Sequence, residues 1–287
     1  MTLRNFADLV AAENEGKFWF STWRKTPTQT TGAGIWFDLS MSPGNPVPNY
    51  YAASPNIAIA LRQSTDGGIP HGGAVAPFKK YLKQITALTT TAAAVPLPMI
   101  LCDYLLFYPF VDMSVTDPQA MDNTVTLPRS TSGRGVQIMP VEVAGQTGIG
   151  NPQFFVNYTN SDGVAGRQTP NVACNTQVVN GTIITSAPNL AQSAGPFLPL
   201  QAGDRGVRSI DSVTFLTADV GLIAFVLVEP IENTSIRTID APVERVCITD
   251  VCDLPVIEDD AYLGLICCPN GTLAGAPIHG TITTVWG

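Results

Sequence analysis

Charge is what this sequence has least of. Only 13% of its 287 residues are Asp, Glu, Lys or Arg, about half the ~25% of an ordinary globular chain, so much of the surface falls to Thr, Ser, Asn, Gln and Gly. Lysine stops at Lys83, and the later positive charges are single, scattered arginines. A phosphate-binding face needs clustered Lys or Arg to release counterions, so direct contact with nucleic acid is not expected. Histidine is almost missing: His71 and His279 are the only two, and neither belongs to a motif such as H-E-x-x-H. No G-x-S-x-G elbow offers a serine nucleophile. The most apolar stretch, Ala92 to Phe110, is broken by Pro96, Pro98, Asp103 and Pro109. That excludes an ordinary membrane helix and reads as one or two buried strands. The first ten residues mix Arg4, Asn5 and Asp8 into the apolar positions, so no secretory leader is read there and maturation in a cytoplasm is expected.

The six cysteines, Cys102, Cys174, Cys247, Cys252, Cys267 and Cys268, follow no disulfide framework. They are expected to be reduced and free of metal, since adjacent Cys267 and Cys268 in a strand point to opposite faces and so do not converge on one zinc. No cofactor is expected. Gly145-x-x-Gly148-x-Gly150 inverts the order of a dinucleotide fingerprint, and Asn151-Pro152 follows it in place of a helix start. The acidic run Asp250, Asp253, Glu258, Asp259, Asp260 lacks the spacing of a calcium loop and reads as a solvated acidic loop. Four Asn-x-Ser/Thr sequons, at Asn157, Asn180, Asn233 and Asn270, are expected by chance in so Thr-rich a chain. His71, inside Gly67–Gly73, reads as a solvated loop residue, and His279 as a strand-edge residue.

What is present is β signal. Runs rich in Val, Ile, Phe and Thr, bounded by Gly, Pro, Asn or Asp, predict strands at Ile35–Leu39, Ile57–Leu61, Val136–Val143, Phe154–Tyr158, Val213–Leu216, Leu222–Val228, Val246–Thr249, Tyr262–Cys267 and Thr281–Trp286. Asn180-Gly181, between Thr176–Val179 and Thr182–Thr185, predicts a tight type I′ hairpin. Two helices are predicted from stripes at helical spacing: Leu3, Phe6, Ala7 and Val10 after a Thr2 cap, and Phe78, Tyr81, Leu82 and Ile85, started by Pro77 and running to Leu88. The expected fold is mainly β, an antiparallel sandwich or jelly-roll-like domain with a small α-containing N-terminal region. Residues 1–130 hold nine basic and nine acidic side chains and 131–287 hold six and fourteen. A boundary near 130 is expected from that shift, with an N-terminal attachment region before it and the sandwich after it.

The densest aromatic and basic cluster is Phe18, Trp19, Phe20, Trp23, Arg24 and Lys25. Aromatics and arginine dominate interface hot spots, so these six residues are the candidate interface. The other reading is that Phe18, Phe20 and Trp23 simply cover the sheet. No catalytic residue is assigned.

Thr-, Asn-, Gly- and Pro-rich segments such as Phe154-Phe155-Val156-Asn157-Tyr158-Thr159-Asn160-Ser161-Asp162-Gly163, after a small helical start, give the whole chain a style that resembles tailed-bacteriophage virion proteins. It is most similar to capsid decoration or cement proteins. The resemblance implies a non-enzymatic β-sandwich or jelly roll, commonly trimeric, that clamps neighbouring subunits of the major capsid protein in a virion assembled in the host cytoplasm. It carries over no functional residues. Two further readings stay open: a tail or receptor-binding component, and a carbohydrate-active enzyme, whose paired carboxylates leave no local signature.

Overall fold

In the computed structural model, which describes all residues except 1, 2, 4, 146–150, 178, 188, 189 and 251–253, the chain is mainly β and its paired strands run antiparallel. Among the described residues ten strands have four or more residues. They are β1 (Phe18–Lys25), β2 (Lys80–Thr89), β3 (Leu97–Asp112), β4 (Gln137–Ala144), β5 (Gln153–Asn160), β6 (Val207–Phe215), β7 (Leu222–Ile236), β8 (Val243–Val246), β9 (Leu263–Cys267) and β10 (Ile278–Trp286). One nine-residue helix, α1 (Phe6–Asn14), precedes them.

Three sheets result. Sheet I has the order β8-β2-β10-β1, with Gly44–Asn45 at the end of β1 and Val256–Ile257 on β2. Sheet II has β9-β3-β7-β4 as its body, and sheet III is built on β5-β6. Strands from both sides of residue 130 share each of the three sheets.

The frame is the β3–β7 pair, in register from Leu97↔Ile236 to Asp112↔Leu222. At sixteen residues, β3 is about 50 Å long, enough to support two smaller sheets side by side. Leu97, Met99, Leu101 and Ile236 pack against Trp23, Leu82, Ile85 and Ile282 of sheet I. Farther along, Leu105, Leu106, Tyr108, Phe225 and Leu227 pack against Phe154, Val156, Ile210 and Val213 of sheet III. Leu105 is an extra residue at a register shift in β3, and such a bulge lets two successive leucines serve one core. The opposite face, with Cys102, Tyr104, Phe107, Val226 and Val228, is covered by Met41, Tyr51, Leu61 and Ile183.

Between the two cores the same face of sheet II turns acidic: Asp103 pairs with Glu229, and Glu232 follows opposite Leu101. Each carboxylate has a partner. Arg129 Nε and Nη2 donate to the two Asp103 oxygens at 2.8 and 2.7 Å, and its Nη1 and Nη2 also donate to the Leu61 and Tyr104 carbonyls. Tyr262 N donates to Asp103 at 3.0 Å. Ser130 Oγ donates to Glu229, and Arg245 lies 3.5 Å from Glu232. Burial pushes the Asp103 carboxyl up to about 6, against the pull of Arg129.

Several expectations are corrected. Phe78–Leu88 is not a helix; it falls largely in β2. A register shift between Thr283 and Thr284 of β10 leaves Lys83 as an extra residue, so Leu82 and Ile85, three apart, both point into the core. A bulged strand thus reproduces helical spacing. The strand expected at Val246–Thr249 ends at Val246 and gives way to the single helical turn Cys247–Asp250. Asn180-Gly181 is a turn, closed by Thr182 N donating to Val179 O at 3.0 Å, but not a hairpin. Only Gly181 has positive φ (94°), whereas a type I′ turn needs it at both residues. The chain after the turn bridges Phe37 and Val141 and meets the chain before it only at Asn175 among the described residues, where Asn175 N donates to Ile184 O at 2.6 Å, so no ladder flanks the turn. The helix α1 is capped by Asn5, whose side chain accepts from Asp8 N; the expected cap, Thr2, lies outside the described residues.

The buried ion pair gives a first prediction. Arg129→Leu leaves Asp103 buried without its cation and should cost about 3–5 kcal/mol in chemical denaturation, with Arg129→Leu/Asp103→Leu recovering much of it. A single variant within 1 kcal/mol of wild type would show that the seam is not held this way.

Candidate functional site

The aromatic segment is delivered to the surface by the way α1 ends. Gly16, at φ 73°, terminates the helix while Gly16 N and Lys17 N donate back to Glu13 O and Ala12 O at 2.9 Å each, a Schellman-type stop. The helix stays docked on sheet I through Leu9 and Ala12 against Tyr81 and Val285, and through the Lys83–Glu13 ion pair. The chain then enters β1, whose Phe, Trp and Thr residues suit a pleated surface.

On one side β1 pairs with β10 over its whole length, from Phe18↔Val285 to Lys25↔Ile278. On the other it meets only Asn45 and Gly44, at Arg24 and Lys25. Trp286 N donates to Lys17 O at 3.1 Å, which fixes the phase of the ladder. The backbone polar groups of Trp19, Ser21 and Trp23 face β10, and those of Phe18, Phe20 and Thr22 face outward. Among the described residues nothing pairs with that outward stretch.

The two-residue period also divides the six candidate side chains. Trp23 (1% exposed) and Lys25 (4%) point inward and are interior residues, so they leave the candidate interface. Lys25 Nζ donates to the carbonyls of Ser40, Ser42 and Pro46 at 3.3, 3.1 and 2.8 Å, tying the end of β1 to the following loop. Burial draws its pKa down to about 8, with the charge of Asp38 opposing. Asp38 is fully buried and accepts from Ser40 N, Ser40 Oγ, Tyr104 OH and Tyr51 OH. Phe18, Phe20 and Arg24 lie on the outer row and Trp19 at the inner rim, all exposed.

Trp19 rests on the loop through Gly72, where a Cβ would sit 3.3 Å from the Trp19 Cβ. That loop is latched. His71 is wholly buried, which corrects its expected place as a solvated residue: its Nε2 donates to Ala261 O at 2.9 Å and its Nδ1 accepts from Lys80 Nζ at 3.2 Å. Lys80 also donates to Gly73 O at 2.8 Å and pairs with Asp259 at 3.3 Å. Thr284 Oγ1 donates to His71 O and Ser21 Oγ to Pro70 O. Burial, then the neighbouring Lys80 charge, lowers the His71 pKa to about 4.

The acidic run is partly spent on structure. Asp259 holds Lys80, and Asp260 accepts from Ser64 N and Oγ; Asp253, Cys252, Gly148 and Gly150 lie outside the described residues. His279 is in β10, an inner strand of sheet I, not at an edge. With Thr22, Arg24, Thr86, Leu88 and Thr281 it lines a groove of about 670 Å³ on the outer face. Cys102, Cys174, Cys247 and Cys267 are buried, Cys268 is half-buried, and all five are free thiols.

No family model matches the chain, and no curated protein does. Among solved structures, the infectious bursal disease virus Gt strain is similar over 94% of this chain and 79% of that one, at 9% identity and a TM-score of 0.17. The infectious bursal disease virus VP2 subviral particle is similar over 93% and 80%, at 8% identity and a TM-score of 0.16. Likenesses this weak carry no argument about fold or function.

The latch predicts an acid-sensitive loop. With the His71 pKa at about 4 in the folded chain and ~6.5 when unfolded, the unfolded state takes up the proton first. Stability is therefore complete above about pH 6.5 and falls toward pH 4, by at most about 3 kcal/mol. His71→Gln should flatten the difference in stability between pH 7 and 4.5, and hydrogen-exchange protection factors at 68–75, corrected for the intrinsic rate at each pH, should fall in acid only in wild type. Equal pH slopes for the two proteins would refute the assignment.

Proposed function

We propose that this chain is a non-enzymatic virion structural protein, most simply a capsid decoration or cement protein that contacts the major capsid protein and stabilises the head. The observation that carries the reading is the bare stretch of β1. It offers unpaired backbone groups flanked by Phe18 (46% exposed), Trp19 (46%) and Phe20 (56%), on a strand held from behind by the latched loop and by Lys25. Such a strand is a rigid contact surface needing no reacting group, and aromatic anchors of this kind concentrate binding energy.

The charge pattern adds a direction. Asp240 and Glu244 are exposed beside or on β8, at the edge of sheet I opposite β1, about 14 Å away across three strand spacings. The contact strand and the acidic segment thus border one sheet, with the shell or a sister subunit at the aromatic edge and solvent at the acidic one. Outward negative charge limits sticking between particles.

The test is to purify particles that contain the chain and measure its copy number against the major capsid protein. A fixed stoichiometric ratio and density on the head are expected. Phe18→Ala/Trp19→Ala/Phe20→Ala, with Trp23 retained, should lower occupancy by about tenfold or more, since each large aromatic buried contributes roughly 1.5–3 kcal/mol. Absence from the particle, location on the tail, or full occupancy of the triple variant would overturn the reading.

A further inference from the structure

We infer that the free edge of β1 is occupied by the β1 of a second copy, paired antiparallel about a two-fold axis through Phe20. The outward backbone groups belong to Phe18, Phe20 and Thr22, and in an antiparallel ladder two residues facing each other exchange both bonds only if each turns its polar groups toward the other. Centred on Phe20, every outward residue meets an outward residue: Phe20 faces its own copy, and Phe18 faces the Thr22 of the second copy. The edge is complementary to itself, as a two-fold contact requires.

The length agrees. Gly44–Asn45 occupies the edge at Arg24 and Lys25, and the chain leaves the strand direction at Gly16. The open window is therefore centred near Phe20. On the outer row the pairing sets the two Phe20 rings beside each other, with Phe18 next to Thr22 of the other copy, and cross-strand aromatic pairs of this kind stabilise a ladder.

Charge agrees as well. Lys17 and Arg24 bracket the window, and Glu13 and Glu15 lie just before it. Glu15 pairs with Lys17 at 2.7 Å, whereas the exposed side chain of Arg24 makes no ion pair among the described residues. Beyond the window, where Asn45 already pairs with Arg24, the two-fold axis carries the Arg24 side chain toward the end of the second copy's strand that follows Glu13 and Glu15, at both ends of the contact. A parallel pairing would set Arg24 against Arg24. The contact makes a dimer in which two copies of sheet I form one continuous sheet, in place of the three-fold assembly that the resemblance to decoration proteins implies. Under the particle reading the sister subunit, and not the shell, then takes the backbone edge, and the outer row of Phe18 and Phe20 is left to meet the shell; the pairing is tested on isolated protein, so its failure does not touch the copy-number test.

The experiment is sedimentation of the full chain over a concentration series. Wild type should be a dimer. Phe20→Pro removes a donor that points to the second copy and none that points to β10, and proline is tolerated where an edge N–H faces outward, so this variant should be a folded monomer. Phe20→Lys, which keeps the backbone donor, should also be monomeric with an unchanged circular dichroism spectrum. Arg24→Glu should weaken the dimer by about tenfold, and Arg24→Glu/Glu15→Arg should restore it. Register is read separately: Phe20→Cys places two thiols on Cα atoms about 5.5 Å apart, and a short thiol cross-linker should join them, while Thr22→Cys should not cross-link. A monomeric wild type, a dimer unaffected by Phe20→Lys, or equal cross-linking at Phe20 and Thr22 would overturn the inference.

Discussion

Everything in this molecule hangs on the ladder between β3 and β7. Two strands long enough to run beneath both cores make sheets I and III parts of one body, and each core needs its own half of a single face. The transition between halves is where the ladder is least apolar. Asp103, Glu229 and Glu232 sit there, and Arg129, Ser130 and Arg245 meet them. Burying a carboxylate without a partner is expensive, so the loop carrying Arg129 and Ser130 is fixed wherever those carboxylates are fixed. Arg129 also bonds the Leu61 and Tyr104 carbonyls, which draws the cover of the opposite face into the same arrangement.

The parts of this fold that were legible in the sequence are those whose reason is local. In β5 the buried positions alternate strictly, and a half-buried strand of that kind shows in the spacing of Phe154, Val156 and Tyr158. The broken apolar stretch around Asp103 was readable as buried strand for the same reason. The misreadings come from distant partners. Leu82 and Ile85 keep helical spacing only because β10 imposes a bulge at Lys83. His71 sits in a glycine-rich stretch that reads as solvated, yet Ala261 and Asp259, nearly two hundred residues on, close over it and Lys80.

The candidate site was legible in composition but not in orientation. Phe18 to Lys25 stands out as aromatic and basic, and once the segment is known to be a strand the period of two sorts it at once. Trp23 and Lys25 belong to the interior, and Phe18, Phe20 and Arg24 to the surface. What no local pattern reveals is the support behind the strand. Gly72 lies against Trp19 because any larger residue would crowd it, Lys80 and His71 hold that loop, and Lys25 anchors the far end in three carbonyls.

Sheet edges are usually guarded by charge, proline or a bulge, because an open ladder recruits strands indiscriminately. The opposite edge of sheet I follows that rule: β8 carries Glu244 and Arg245 and is entered through Pro242. The free stretch of β1 does not. Between Phe18 and Trp23 there is no charge, no proline and no register shift against β10, and the charges Lys17 and Arg24 fall only at its two ends. A chain so sparing of charge elsewhere could guard this edge with a single lysine. That it instead presents aromatics on a strand braced from behind argues that the edge is kept open for pairing, and that specificity resides in the short window and the charges that bracket it.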